Sequence, residues 1–217
     1  MSQVVKIASS QEELCRIYIL RYAVYIEEMG FPFPLADHEK KMLYDEFDDW
    51  AIHFYIDNPE TDEVTGIYRL NLLDSDNIPA EVEEHYCISA FKELGLKVGY
   101  SSKLMTHISQ RSLCNVNLLL RQVFYYGVER EYFLNFIDCS PTLVPFYERI
   151  GFRKYYSNFN DHVLGEKTPM VLFVKDLDHL KKVNSPLYKV CLEMGVENIN
   201  YSKWLEHNFN LIEIEHA

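Results

Sequence analysis

Residues 133–152 read Phe133-Leu134-Asn135-Phe136-Ile137-Asp138-Cys139-Ser140-Pro141-Thr142-Leu143-Val144-Pro145-Phe146-Tyr147-Glu148-Arg149-Ile150-Gly151-Phe152. Phe133–Asp138 is a nearly continuous apolar run of strand length, the pattern of a central strand covered on both faces. Ser140-Pro141 interrupts it, a short helix fits Thr142–Ile150, and Gly151 ends that helix before Phe152–Tyr155 begins another strand. Strand, helix and returning strand within so few residues make an α/β unit.

Working outward, Val98–Met105 reads as a strand with Gly99 near its start. An apolar helix over Leu118–Tyr126 follows, capped by Ser112 or Asn115 and closed near Gly127. Met170–Val174 is the last clear strand, and Asp176 onward reads as helical segments broken at Ser185-Pro186 and around Asn198-Ile199-Asn200. Toward the N-terminus, Val4–Ala8 is a short strand and Ser10-Gln11-Glu12-Glu13 fits a capping box. The helix it opens carries a stripe of Leu14, Ile17, Tyr18, Arg21, Tyr22 and Tyr25, ended by Gly30-Phe31-Pro32-Phe33-Pro34. Ile52–Ile56 and Val64–Leu72 form a hairpin around Asn58–Asp62, and Ile78-Pro79 starts a short acidic helix. The expectation is an α/β protein with a mixed sheet: one domain over 1–175 and a helical C-terminal extension over 176–217 packed on it.

Composition narrows the function classes. Of 217 residues, 48% are hydrophobic and 14% aromatic, enough for a packed core. The net charge of −12 argues against nucleic acid as a partner. That charge is uneven: residues 1–91 carry −13, residues 92–154 carry +4 and residues 155–217 carry −3. An anionic partner is therefore expected on the middle segment. Five cysteines, an odd number without CxxC spacing, read as free thiols in a reducing compartment. No leader-like N-terminus or span-length apolar run is visible, so a soluble cytoplasmic protein without a membrane span is expected. His53, His107 and His162 lack the paired spacing of a metal site or triad, and no metal is expected.

The chemistry concentrates in Leu43-Tyr44-Asp45-Glu46-Phe47-Asp48-Asp49-Trp50, four carboxylates feeding a hairpin that carries Arg69. Glu46 and Asp49 read as solvated loop acids, whereas Asp45 and Asp48 read as functional or site-organising. Arg21, on an otherwise apolar stripe, either meets an anion or snorkels at the helix edge. Arg69 either clamps a substrate carboxylate or buttresses Asp45 or Asp48.

Ser140–Phe152, with Phe-Tyr before a basic residue and Gly-Phe opening the next strand, resembles the late helix-to-strand turn of GNAT-type acyltransferases. Arg21-x-x-x-Tyr25, Leu43-x-Asp45-x-x-Asp48 and Gly66-x-x-Arg69-Leu70 resemble the branch holding acyl-homoserine-lactone synthases and long-chain N-acyl amino acid synthases. Thr168–Leu172 and Val183–Leu187 are similar to the tail of the latter group. Two acids of the lactone synthases are missing: Leu43 replaces the one that opens their motif, and Tyr100 the one in their Glu-x-x-Arg strand, where Lys103 matches the Arg. Those acids help handle the S-adenosylmethionine amine, so a different acceptor is implied.

The resemblance implies a GNAT fold and an N-acyltransferase moving a medium or long acyl chain from a thioester to an amino acid or similar small-molecule amine, directly and without a tightly bound cofactor. Asp45 and Asp48 are its candidates for binding and deprotonating the amine. Tyr147 is the candidate for protonating the thiolate, and Ser101 stands on the strand expected to hold the oxyanion. Arg21, Tyr25, Arg69, Tyr100 and Lys103 are the acceptor-side candidates. Donor candidates are Arg111, Cys114, Asn115, Arg149 and Arg153, with Cys114 not read as a nucleophile. Arg111-Ser112-Leu113-Cys114-Asn115-Val116 keeps the Arg of a pyrophosphate-binding loop but neither glycine. That favours a pantetheine donor with weak pyrophosphate contacts: an acyl carrier protein, docking on Lys97, Lys103, Arg111, Arg149, Arg153 and Lys154, or acyl-CoA. An ordinary acetyl-CoA N-acetyltransferase and a catalytically silent acyl-ligand or protein-binding module remain as alternatives.

Overall fold

The computed structural model describes residues 4–58, 60–73, 78–108 and 111–209. The turn residue Pro59 and the last residues of the expected C-terminal extension lie outside the described residues. Strands are β1 Lys6–Ile7, β2 Ala51–Asp57, β3 Val64–Leu73, β4 Val98–Thr106, β5 Leu134–Cys139, β6 Arg153–Lys154, β7 Phe159–Asp161 and β8 Gly165–Phe173. Helices are α1 Gln11–Tyr22, α2 Ala80–Tyr86, α3 Leu113–Glu129, α4 Val144–Ile150, α5 Leu177–Lys182, α6 Pro186–Glu193 and α7 Ser202–Phe209. The mixed α/β class expected from the sequence is the class observed, with a mostly antiparallel pattern. Among the described residues no helix is long and apolar enough to cross a membrane.

The chain divides into two compact units, residues 1–71 with 101–124, and residues 72–100 with 125–217. In the first, β1, β2 and β3 pair antiparallel, with His53 opposite Arg69 and Ala51 opposite Asn71. Ser10 and Glu13 form the expected capping box of α1. The α-helix stops earlier than the stripe suggests: Ala23–Glu28 is wound as a π-helix, in which Met29 N–H donates to the Val24 carbonyl at 3.0 Å. The extra residue per turn displaces Tyr25 from the helical register that the 3.6 period gives it. Ile17, Tyr18, Leu20, Val24, Tyr55, Val64, Ile67 and Met105 form this unit's core.

In the second unit β5 pairs in parallel with β4 over Val98–Tyr100 and antiparallel with β8, which also carries β6 and β7. Leu134, Phe136 and Ile137 are almost fully buried, as the apolar run requires. Gly151 ends α4 at φ +119°. The returning strand is shorter than expected, Arg153–Lys154 only, and β7 was not anticipated because three residues are too few for a period. Asp176 caps α5; it is fully buried and accepts from the backbone N–H of His179 and of Tyr201.

Candidate active site

The acidic loop acquires its geometry from a capping interaction. Asp45 precedes the short helical turn Glu46–Trp50, and its Oδ1 accepts from Phe47 N–H at 3.1 Å. Asp48 Oδ2 accepts from Asp45 N–H at 2.8 Å. This reciprocal pair is the capping box in an all-Asp version, so the three-residue spacing fixes both carboxylates relative to one backbone turn. Asn71 Nδ2 donates to the Phe47 carbonyl at 2.9 Å and ties that turn to β3. Glu46 and Asp49 are exposed, as expected of loop acids.

Two buried arginines converge on Asp48. Arg21 Nη1 lies 2.8 and 2.7 Å from its two oxygens, and Arg69 Nη1 donates to Oδ1 at 2.8 Å. Arg69 also donates to Asp45, and its Nε donates to Ser102 Oγ at 2.9 Å. Lys103 on β4 completes the cluster, its Nζ 3.3 Å from Asp45 Oδ2 and over the rings of Tyr25 and Phe33 at 5.4 and 5.9 Å. His53 Nδ1 is 3.3 Å from Arg21 Nη2. A guanidinium only donates, so Nδ1 accepts, and the proton sits on Nε2, which donates to the Asp48 carbonyl at 3.4 Å.

Proton affinities follow from these contacts. Burial raises the Asp48 pKa, but the charge and hydrogen bonds of Arg21, with Arg69, outweigh it and hold the carboxyl far below the usual range. Burial likewise raises Asp45, and Lys103 and Arg69 turn the net shift downward. His53 is lowered to about 4 by burial and by Arg21, so it is neutral near pH 7. Lys103 is lowered by burial, with Asp45 opposing and Arg69 and Arg21 adding to the shift. The cluster therefore joins three cations to two carboxylates. Its interior is closed, with Arg21, Asp48 and Arg69 side chains 1%, 2% and 3% exposed, whereas Asp45 keeps 35% and Lys103 14%. Of the charged side chains described in the cluster, Asp45 and Lys103 keep an open edge.

Residues 20–112 match the profile described as acetyltransferase (GNAT) domain, a span that contains every member of this cluster. The matched span is less than half of the 217-residue chain. Over 92 residues it is 38% identical to the L-ornithine N(alpha)-acyltransferase of Rhodobacter capsulatus, a match over 40% of this chain. The chain covers about a third, 34%, of that relative's length. FeeM, an N-acyl amino acid synthase from uncultured soil microbes, has the same fold, with TM-score 0.66 and 15% identity over 87% of this chain and 98% of that one. BjaI, a CoA-dependent acyl-homoserine lactone synthase, superimposes with TM-score 0.61 and 12% identity over 85% of this chain and 91% of that one. The GNAT fold expected from the sequence is thus the observed fold.

The fold gathers Arg21, Tyr25, Asp45, Asp48, Arg69 and Lys103 in the first unit. Ser101 is buried on β4 within hydrogen-bonding reach of Tyr68. Arg111 is held by Glu28, with Nη2 2.9 and 3.0 Å from the two carboxylate oxygens. Ser112 rather than Asn115 caps α3, accepting from Asn115 N–H at 3.2 Å. Asn115 is buried and Cys114 exposed.

Tyr100, Tyr147, Arg149 and Arg153 belong to the second unit. The Tyr147 ring is buried against Phe146 and Phe152, and Arg149 is exposed on α4. Arg153 donates to Asp176 at 2.5 Å and to Ser202 at 3.1 Å, fastening the C-terminal helices rather than facing solvent. Among the described residues no three His, Cys, Asp or Glu side chains converge as a metal site. Two polar groupings carried no sequence signal: His53 in the first unit, and in the second Tyr86, which donates to Asp138 at 2.6 Å while Lys167 lies 3.2 Å from that carboxylate.

Proposed function

We propose that the protein is an N-acyltransferase that moves an acyl group from a pantetheine thioester to the amine of an amino acid, with Asp45 as the acceptor-facing carboxylate. The observation behind this reading is the partly exposed Asp45 on an otherwise sealed Arg21–Asp48–Arg69 cluster, inside the span that matches the GNAT profile. A fixed carboxylate at the solvent edge suits an ammonium, because it can hold the amine while water carries away the proton that must leave before attack. The neutral amine then attacks the thioester carbonyl, the C–N bond forms, the C–S bond breaks, and the thiol departs. The net reaction releases one proton, with the amide and the free thiol as products.

Asp48 has a different part in this scheme. Every oxygen it has is engaged by buried donors, so it orients Arg69 and the Asp45 backbone rather than touching the acceptor. Ser101 and Tyr147 keep their proposed parts at the oxyanion strand and at the leaving thiolate. Acceptors of the amino acid class are supported by the names of the relatives, one acting on L-ornithine and one an N-acyl amino acid synthase.

On the donor side, acyl-CoA and acyl carrier protein share the pantetheine thioester. Lys97, Lys103, Arg111 and Arg153 are paired with acids, which leaves Arg149 and Lys154 as the donor-side cations to test. A second reading, transfer of a short acetyl group, is favoured by the description of the matched profile.

Thiol release from purified protein separates these readings. Acetyl-, octanoyl- and palmitoyl-CoA, and the same chains on carrier protein, are supplied with L-ornithine and the standard amino acids. Amine-dependent thiol release is expected with the longer chains. Release with the acetyl donor alone would select the second reading, and release that ignores added amine would reject both.

A further inference from the structure

We infer that Lys103 is the carboxylate reader of the acceptor site, so that Asp45 and Lys103 together select a free α-amino acid over an amine without a carboxylate. The inference rests on the acyl-transfer reading above and adds the acceptor's second recognised group.

Its first support is the way the cations are used. Arg69, the cation that the sequence suggests as a carboxylate clamp, is 3% exposed and already bonded to Asp45, Asp48 and Ser102. Arg21 is 1% exposed and bonded to Asp48. Neither can turn to a ligand without stranding a buried carboxylate. Lys103 differs. It has three N–H donors, an acid contact at 3.3 Å on one side, and a partly open edge.

Charge balance is the second support. Arg21, Arg69 and Lys103 face Asp45 and Asp48, and His53 is neutral, so the cluster holds one positive charge more than it neutralises. A surplus cation in a largely desolvated position is stabilised when an anion arrives. An aminocarboxylate supplies that anion, and its ammonium finds the adjacent Asp45. The same surplus favours the acceptor in its neutral-amine, carboxylate form, which is the nucleophilic one.

Local geometry is the third. Lys103 has φ +57° inside a strand, a left-handed conformation that a non-glycine residue seldom adopts. Such strain persists where the surroundings fix it, and it is common at ligand sites. Here the rings of Tyr25 and Phe33 hold the ammonium beside Asp45. Facing Lys103 are therefore Asp45 from the acidic loop, Arg69 from β3, Arg21 from α1, and two aromatic rings from the π-helix and the loop after it.

The experiment measures calorimetric binding and acyl transfer for matched pairs: L-ornithine with 1,4-diaminobutane, L-tyrosine with tyramine, and L-leucine with 3-methylbutylamine. Wild type is compared with Lys103→Met and Lys103→Arg. At least one amino acid should bind roughly tenfold to hundredfold more tightly than its decarboxylated partner, the range of one charged hydrogen-bonded contact. Lys103→Met should erase that preference, and Lys103→Arg should keep part of it. A variant that merely misfolds would lower both members of each pair alike. Equal binding within every pair, no binding of any of the six, or a preference that survives Lys103→Met would overturn the inference. Acyl transfer that proceeds equally to both members would overturn it while leaving the acyltransferase reading intact. Selective binding with no acyl transfer would do the reverse.

Discussion

Replacing Asp48 by Asn removes the carboxylate that Arg21 and Arg69 share, and both guanidinium groups stay buried. An uncompensated buried charge destabilises by about 3–5 kcal/mol, so Asp48→Asn should show a large loss in urea unfolding. Asp45→Asn, at a carboxylate that is 35% exposed, should change stability by only about 1 kcal/mol and act chiefly on the acceptor. His53 gives a pH prediction. Its folded pKa, about 4, lies below the roughly 6.5 of an unfolded histidine, so the unfolded chain binds more protons between those values. The contribution is complete above pH ~6.5 and lost as pH falls toward 4, amounting to about 3 kcal/mol at most. His53→Gln should flatten that acid limb in thermal melts from pH 4 to pH 7; an unchanged limb would place the titration elsewhere. At this scale the sequence was informative where spacing was local. Asp45-x-x-Asp48 is legible because a capping box needs that interval. His53 was not, because Arg21 lies 32 positions away and no short-range pattern joins them.

Elements were legible where one face alternates or a cap is required. Phe133–Asp138 became β5 because an apolar run of that length has to be covered on both sides. Ser10 and Glu13 cap α1 as their interval demands. The π-helix Ala23–Glu28 was not legible, since hydrogen bonds five residues apart leave no mark on apolar periodicity. Gly151 shows a constraint that the sequence only hints at. A Cβ there would overlap Leu180 Cδ2 and stand 3.3 Å from Leu172 Cδ1, on a residue whose φ of +119° disfavours any side chain. Gly151→Ala should therefore cost at least about 1–3 kcal/mol and lower the melting temperature by several degrees, read by circular dichroism. A neutral result would mean that α4 and α5 can part without loss.

The charge map of the whole molecule, −13 over residues 1–91 and +4 over residues 92–154, suggests an anionic donor on the middle segment. Pairing modifies that picture, because Lys97, Arg111 and Arg153 each meet an acid of the same unit. Partners distant in sequence, such as Glu28 for Arg111, are invisible to a count of charges along the chain. Charge reversal at Arg149 and Lys154 should raise KM for acyl carrier protein while leaving KM for acyl-CoA nearly unchanged, if the carrier protein docks there. Equal effects on both donors would place the two residues at the shared pantetheine instead. Amide formation at the Asp45 edge of the cluster can be read by mass spectrometry of reactions holding purified protein, acyl thioester and nitrogen-labelled amino acids. Wild type should give a labelled N-acyl amino acid, and folded Asp45→Asn should lose at least about tenfold of it. Absence of any labelled amide across the amino acid panel, or equal yield from Asp45→Asn, would contradict amide formation at that edge.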